Sequence, residues 1–185
     1  MTRIVVGMSG ASGSIYGFRL LEALRQMKVE SHLIISEWAG NILERETPYT
    51  LAQVRELADV VHDPRDMAAA VSSGSFLHDG MVIAPCSMKT LAGLHSGFHD
   101  SLLVRAADVT LKEKRRLVLV PRETPLSPVH LRNMYELSMM GVVIMPPVPA
   151  FYHQPQTVDE IVGHTVGRVL DQFGLHDGGQ RRWRG

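Results

Sequence analysis

The chain contains a single cysteine, Cys86, in 185 residues. No disulfide can form within it, and such usage fits a reducing compartment. It has no excess of either charge: 19 Lys and Arg stand against 19 Asp and Glu, with a pI of about 7.1. That balance argues against a generic nucleic-acid or anionic-membrane surface, while a local basic cluster can still hold a small anion. Long apolar runs are missing too. The N-terminal one lasts about five residues before glycine and serine interrupt it, too short for a signal-peptide core, and no other approaches a membrane span. Cytoplasm is the expected location, with neither nucleic acid nor membrane as partner. No internal repeat or low-complexity segment occurs. The length predicts one domain that buries roughly 70% of its unfolded surface. It is expected over residues 1–175, followed by a flexible tail at 176–185 in which Trp183 packs on a neighbouring chain.

What the chain does have is RIVVGMSGASGSIY at residues 3–16. The β-branched run Ile4-Val5-Val6 enters a turn rich in glycine and serine, and a helical pattern begins near Ile15. This reads as a buried strand, a tight turn and a helix N-terminus, where backbone N–H groups and the helix dipole attract an anion. The spacing of Gly7, Gly10 and Gly13 is neither the dinucleotide fingerprint nor a P-loop. A phosphate-bearing ligand is the first hypothesis, and close packing of strand on helix is its structural alternative.

Apolar periodicity then alternates between strand and helix. Helices are expected at 14–27, 38–46, 51–58, 100–114, 127–140 and from Thr157, with another opened by residues 86–90. Strands are expected at 4–6, 29–35, 60–61, 81–84, 116–120 and 141–145. Pro85 is expected to end its strand. Ser127 and Pro128 read as N-cap and first helical residue, with Leu131, Met134, Leu137 and Ser138 packing inward. Thr157 and Glu160 read as a capping box. The fold class is α/β: a doubly wound, mostly parallel sheet in three layers, Rossmann- or flavodoxin-like.

In that architecture ligands bind beyond the carboxyl ends of the strands. Those ends carry Ser12, Ser36, Ser87 with Thr90, Arg122 with Glu123, and Tyr152. Glu37 stands one residue late for an acid that holds a ribose, which weakens a dinucleotide reading. Glu46 is read at a helix end near the strand tips. Cys86 lacks a sequence-adjacent base and reads as a small buried hydrophobe. Arg105, Asp108 and Lys112 share one helix face, as a surface ion-pair ladder would.

The strings GMSGASGSIYG, PCSMKTLAG, RAADVTLKEKRRLVLVPRETPLS, HLRNM and PPVPAFYHQPQTVDEIV resemble those of the UbiX-like flavin prenyltransferases, in particular the small B subunit that accompanies hydroxyarylic-acid decarboxylases. The resemblance runs over about residues 3–183. It implies a transferase that joins a dimethylallyl group, from dimethylallyl monophosphate, to N5 and C6 of reduced FMN, for use by a separate UbiD-like decarboxylase. It implies a flavin site lined by Gly10, Ala11, Ser12, Ser36, Ser87, Met88, Lys89, Thr90 and Arg122. The prenyl phosphate would meet Arg105, Lys112, Arg122, Tyr152 and Arg168, with Ser12, Glu46 and Glu123 as catalytic groups. It further implies a homo-oligomer, a dodecamer, with sites between subunits. No Asp-Asp-x-x-Asp run for magnesium is present, so Arg, Lys and Tyr are expected to hold the leaving phosphate without metal. The alternatives are an FMN-dependent decarboxylase of phenolic acids and a non-catalytic FMN-carrying accessory subunit. Related cysteine decarboxylases carry Pro-x-Met-Asn where this chain has Pro125-Leu126-Ser127, which counts against direct decarboxylation.

Overall fold

A computed structural model describes residues 2–176. The chain opens with β1 (Arg3–Met8), α1 (Ser14–Gln26) and β2 (Glu30–Ile35), and continues through α2 (Glu37–Glu46), α3 (Leu51–Leu57) and β3 (Val60–His62). The second half holds β4 (Gly80–Cys86), α4 (Met88–Ser96), α5 (Leu102–Lys112), β5 (Arg116–Pro121), α6 (Pro128–Met139), β6 (Val143–Ile144) and α7 (Val158–Asp171). One sheet forms in the order β3-β2-β1-β4-β5-β6, and every ladder is parallel. The chain builds outward from β1 to β3, then returns to the other side of β1 and builds to β6. The strand order reverses between β1 and β4, which is where such sheets open a crevice. This is the doubly wound architecture read from the periodicity.

Helices cover both faces of the sheet, so β1, β4 and β5 each carry a run of apolar residues with no alternation. Ile4, Val6 and Met8 of β1 face a core shared with α1, α2 and α7, while Val5 faces a second core with α4, α5 and α6. Helix α1 approaches the sheet closely at Gly17. A Cβ there would sit 2.4 Å from the Ala84 carbonyl oxygen, so only glycine lets α1 lie this close to β4.

Four expectations change. Pro85 does not end its strand, because β4 continues to Cys86 through a register shift in which Ile83 faces Leu119 and Cys86 faces Pro121. One extra residue on β4 is a bulge, which accommodates a proline without a ladder N–H and reverses the facing of Cys86. Of residues 141–145 only Val143–Ile144 pair, because Gly141 adopts φ 96° and turns the chain into the edge strand. On α6 the buried residues are Asn133, Met134 and Leu137, while Leu131 and Ser138 point outward. The Thr157 box closes only by half: Thr157 Oγ1 accepts from Glu160 N–H at 3.2 Å, but Glu160 Oε2 accepts from Gln156 N–H at 2.6 Å. The Ser127 cap forms as read, completed by His130. The tail expected at 176–185, with Trp183, falls outside the described residues beyond His176.

Candidate active site

The turn after β1 enters α1 through Gly13, whose φ of 100° is the left-handed conformation glycine adopts without strain. The N–H of Gly13 donates to Glu46 Oε2 at 2.8 Å, and that of Ser14 does so at 3.4 Å. Glu46 is the last residue of α2. The positive end of α1 is thus occupied by the chain's own carboxylate, a stabilising pairing of anion and dipole. A ligand phosphate on these N–H groups would have to displace it. Ser9 does a different job in the same turn. Its hydroxyl donates to the Pro85 carbonyl at 3.0 Å and accepts from Ser87 N–H at 2.7 Å, tying the end of β1 to the start of α4.

A cleft of about 1240 Å³ opens over the carboxyl ends of the strands. Gly10, Ser36, Ser87, Met88, Lys89, Thr90 and Glu123 of the expected residues line it. Ser36 caps α2, accepting from Ala39 N–H at 3.2 Å. Ser87 caps α4, accepting from Thr90 N–H at 3.2 Å and donating to Thr90 Oγ1 at 3.0 Å. Two helix N-termini therefore border one cleft from opposite sides of the switch point, and together favour an anionic ligand group. Lys89 pairs with Asp100 at 3.0 Å at the exposed rim. Ala11, Ser12 and Arg122 lie outside this lining.

Several lining residues were not legible beforehand. Trp38, exposed at the mouth, and Asn41 come from α2 directly after β2, while Arg55 and His62 join them because β3 pairs with β2 and brings α3 alongside. His62 is backed by a chain of polar contacts. His62 Nε2 meets His32 Nδ1 at 3.0 Å, His32 Nε2 meets Glu30 Oε1 at 3.0 Å, and Arg3 Nε donates to Glu30 Oε1 at 2.7 Å. Burial, and then the neighbouring His32, hold His62 below the usual imidazole value, favouring its neutral form. Cys86 is fully buried and burial pushes its thiol up to about 12, so it is the inert hydrophobe expected.

The residues expected around the prenyl phosphate do not meet within one chain. Arg105 and Lys112 belong to α5, on the sheet face that carries α4 and α6. Arg105 donates to Ser72 O at 3.2 Å and to Asp108 at 3.0 Å, and Lys112 pairs with Glu113. Arg168 belongs to α7, on the opposite face against α1. Tyr152 joins that side, its hydroxyl 2.7 Å from His164 Nε2 on α7. Arg122 and Glu123 follow β5 and are exposed, as is Glu46 at the end of α2. The sheet separates the two groups, so no side-chain motion within one chain joins them.

Comparison with known proteins carries the remaining weight. The Flavoprotein family model matches residues 1–170. A probable UbiX-like flavin prenyltransferase from Streptomyces sp. (strain D7) is 61% identical over 184 residues, covering 99% of this chain and 92% of that one. Among solved structures, AnUbiX (PadA1) in complex with FMN and dimethylallyl pyrophosphate superposes with a TM-score of 0.98 at 56% identity, covering 100% of this chain and 98% of that one. A dodecameric FMN-dependent UbiX-like decarboxylase from Escherichia coli O157:H7 superposes equally well, with a TM-score of 0.98 at 58% identity and full coverage of both chains. Cysteine decarboxylases at 17% identity share the fold alone. At this identity and coverage the chain belongs to the flavoprotein family and, within it, to the UbiX-like flavin prenyltransferases.

Proposed function

We propose that this chain transfers the dimethylallyl group of dimethylallyl monophosphate to N5 and C6 of reduced FMN, and that the product serves a UbiD-like decarboxylase in the cytoplasm. One observation carries the reading. The switch-point cleft belongs to a chain 56% identical, over its whole length, to a protein whose structure holds FMN together with a dimethylallyl ester. A cleft of about 1240 Å³ exceeds the few hundred to about 1,000 Å³ of an ordinary single-ligand pocket. It suits a flavin with a second substrate beside it.

Bound reduced FMN supplies the nucleophilic N5 and C6. Gly10, Ser36, Ser87, Met88, Lys89 and Thr90 of the cleft lining, with Ala11, Ser12 and Arg122 by family likeness, would form its binding set, the α2 and α4 N-termini favouring the anionic end. Departure of phosphate from an allylic carbon leaves growing negative charge on the leaving oxygen, and fixed cationic and hydroxyl donors stabilise it. Arg105, Lys112, Arg122, Tyr152 and Arg168 have that chemistry. Glu46 has one oxygen held by Gly13 N–H and the other available to take a proton, with Ser12 as relay and Glu123 as a second carboxylate.

Because the sheet separates Arg105 and Lys112 from Tyr152 and Arg168, a complete phosphate site needs a second copy of the chain. Tyr135, Met139, Met140, Val148 and Phe151 are large apolar side chains left exposed in the single chain, as residues covered in an assembly would be. A homo-oligomer with sites between subunits, a dodecamer by family likeness, accounts for both.

Anaerobic incubation of the purified protein with reduced FMN and dimethylallyl monophosphate is expected to give a mass-shifted flavin with no other protein present. An unmodified flavin would remove the reading. Release of carbon dioxide from a phenolic acid by this chain alone would favour direct decarboxylation, the activity named for the Escherichia coli relative.

A further inference from the structure

The phosphate reading leaves one cluster unused. Tyr152 emerges from a proline-rich segment, residues 146–149, and its exposed ring is held by two histidines. Its ring centroid lies 5.4 Å from that of His153 and 5.5 Å from that of His164, edge-on to both. The two imidazoles stack at 4.7 Å with an interplanar angle of 11°. Both ring nitrogens of His153 are buried with no hydrogen-bond partner among the described residues, so His153 acts here as a plate that fixes the plane of His164. Tyr152 Oη and His164 Nε2 then meet at 2.7 Å. One helical turn further along α7, on the same face, stands Arg168, half-exposed and bonded to Asp171 at 3.1 Å.

The direction of the Tyr152–His164 bond decides what the phenol can do. A phosphate dianion only accepts hydrogen bonds. A phenol that spends its proton on His164 has nothing to give the phosphate. If His164 instead presents Nε2–H, the phenolic oxygen accepts from it and the phenolic proton can be turned toward the anion. A neutral imidazole makes that change by moving its proton between Nδ1 and Nε2. Burial, with smaller contributions from His153 and Arg168, holds His164 below the usual imidazole value, which favours the neutral ring.

The geometry points to His164 as a positioning residue of the phosphate site: it donates Nε2–H to Tyr152 Oη when phosphate is bound, so that Tyr152 donates its own proton to a phosphate oxygen beside Arg168. This rests on the reading that Tyr152 and Arg168 meet the prenyl phosphate, and extends it to a residue with no assigned role. No bond to carbon or phosphorus changes in the step. One imidazole proton changes nitrogen and one hydroxyl turns.

Three variants test it. His164→Phe keeps the ring stacked on His153 and removes the nitrogen. His164→Gln replaces it with an amide that can donate or accept. Tyr152→Phe removes the phenol. Loss of one donor relay is expected to raise KM for dimethylallyl monophosphate about tenfold in His164→Phe, with kcat within about twofold, while His164→Gln stays within about threefold of wild type. Tyr152→Phe should match His164→Phe, and the double variant should be no worse than either. An unchanged KM in His164→Phe overturns the inference. So do losses that add in the double variant, or a Gln variant as poor as the Phe variant. Titration of the same proteins with inorganic phosphate separates this inference from the functional reading. If wild type transfers no prenyl group, yet binds phosphate and loses that binding in His164→Phe, the activity falls and the contact stands. If wild type transfers the group and His164→Phe binds phosphate equally well, the contact falls and the activity stands.

Discussion

Glu46 holds the α1 N-terminus with one oxygen, at the turn that carries Ser12. Those two tasks can be separated by substitution. In Glu46→Gln the amide oxygen still accepts from Gly13 N–H, so the turn keeps its shape while the proton acceptor is lost. The alkylation rate is expected to fall by on the order of 10²-fold, with FMN still retained through purification. Single-turnover flavin absorbance together with the bound-flavin ratio reads both. An unchanged rate would take Glu46 out of the chemistry, and joint loss of flavin would make its role structural.

Among the elements, the β3-β2-β1 side of the sheet carries an electrostatic coupling that reaches the cleft. Arg3 on β1 and His32 on β2 both bond Glu30, and Arg3 first, then His32, hold its carboxyl down to about 2 from 4.5. A depressed carboxyl stabilises the folded state fully above its unfolded value. That stabilisation is lost as pH falls from about 4.5 through about 2, where unfolding takes up a proton. Glu30→Gln is therefore expected to melt a few degrees lower than wild type near pH 6, and the two melting curves should converge as the pH approaches 2. Parallel profiles across that range would mean that the ion pair does not couple to folding. Because His32 joins Glu30 to His62, the same substitution also loosens one wall of the cleft.

For the whole molecule, the decisive fact is that the sheet stands between α5 and α7. If two copies complete each phosphate site, Lys112→Ala assemblies and Arg168→Ala assemblies are each inactive, and co-assembly from equal amounts restores sites whose two contributors are both intact. Random mixing makes that one half times one half, or about a quarter of the wild-type activity. Activity in the mixture is the readout, with separately assembled proteins mixed afterwards as the control. A mixture no more active than its parents would place the whole site in one chain, against the geometry.

How much of this could be read beforehand depends on the range of the interaction. The βαβ opening, the parallel sheet, the Ser127 cap and the burial of Cys86 follow from local patterning, because apolar period and end-capping act within a turn or two of chain. Matching strings were enough for the family, and for the serines and threonine at the ends of β2 and β4. Long-range geometry decided the rest. Pro85 sits inside a strand because β5 tolerates a bulge opposite it. The N–H groups of the glycine turn hold a carboxylate 33 residues away, a contact that no local pattern announces. His62 and Arg55 became cleft residues once β3 paired with β2. Amino-acid order alone determined a flavin-type α/β chain and a list of cations and hydroxyls for a phosphate. Only the tertiary structure divided that list between the two faces of a sheet, since which side chains share a surface depends on packing across the layers and not on spacing along the chain.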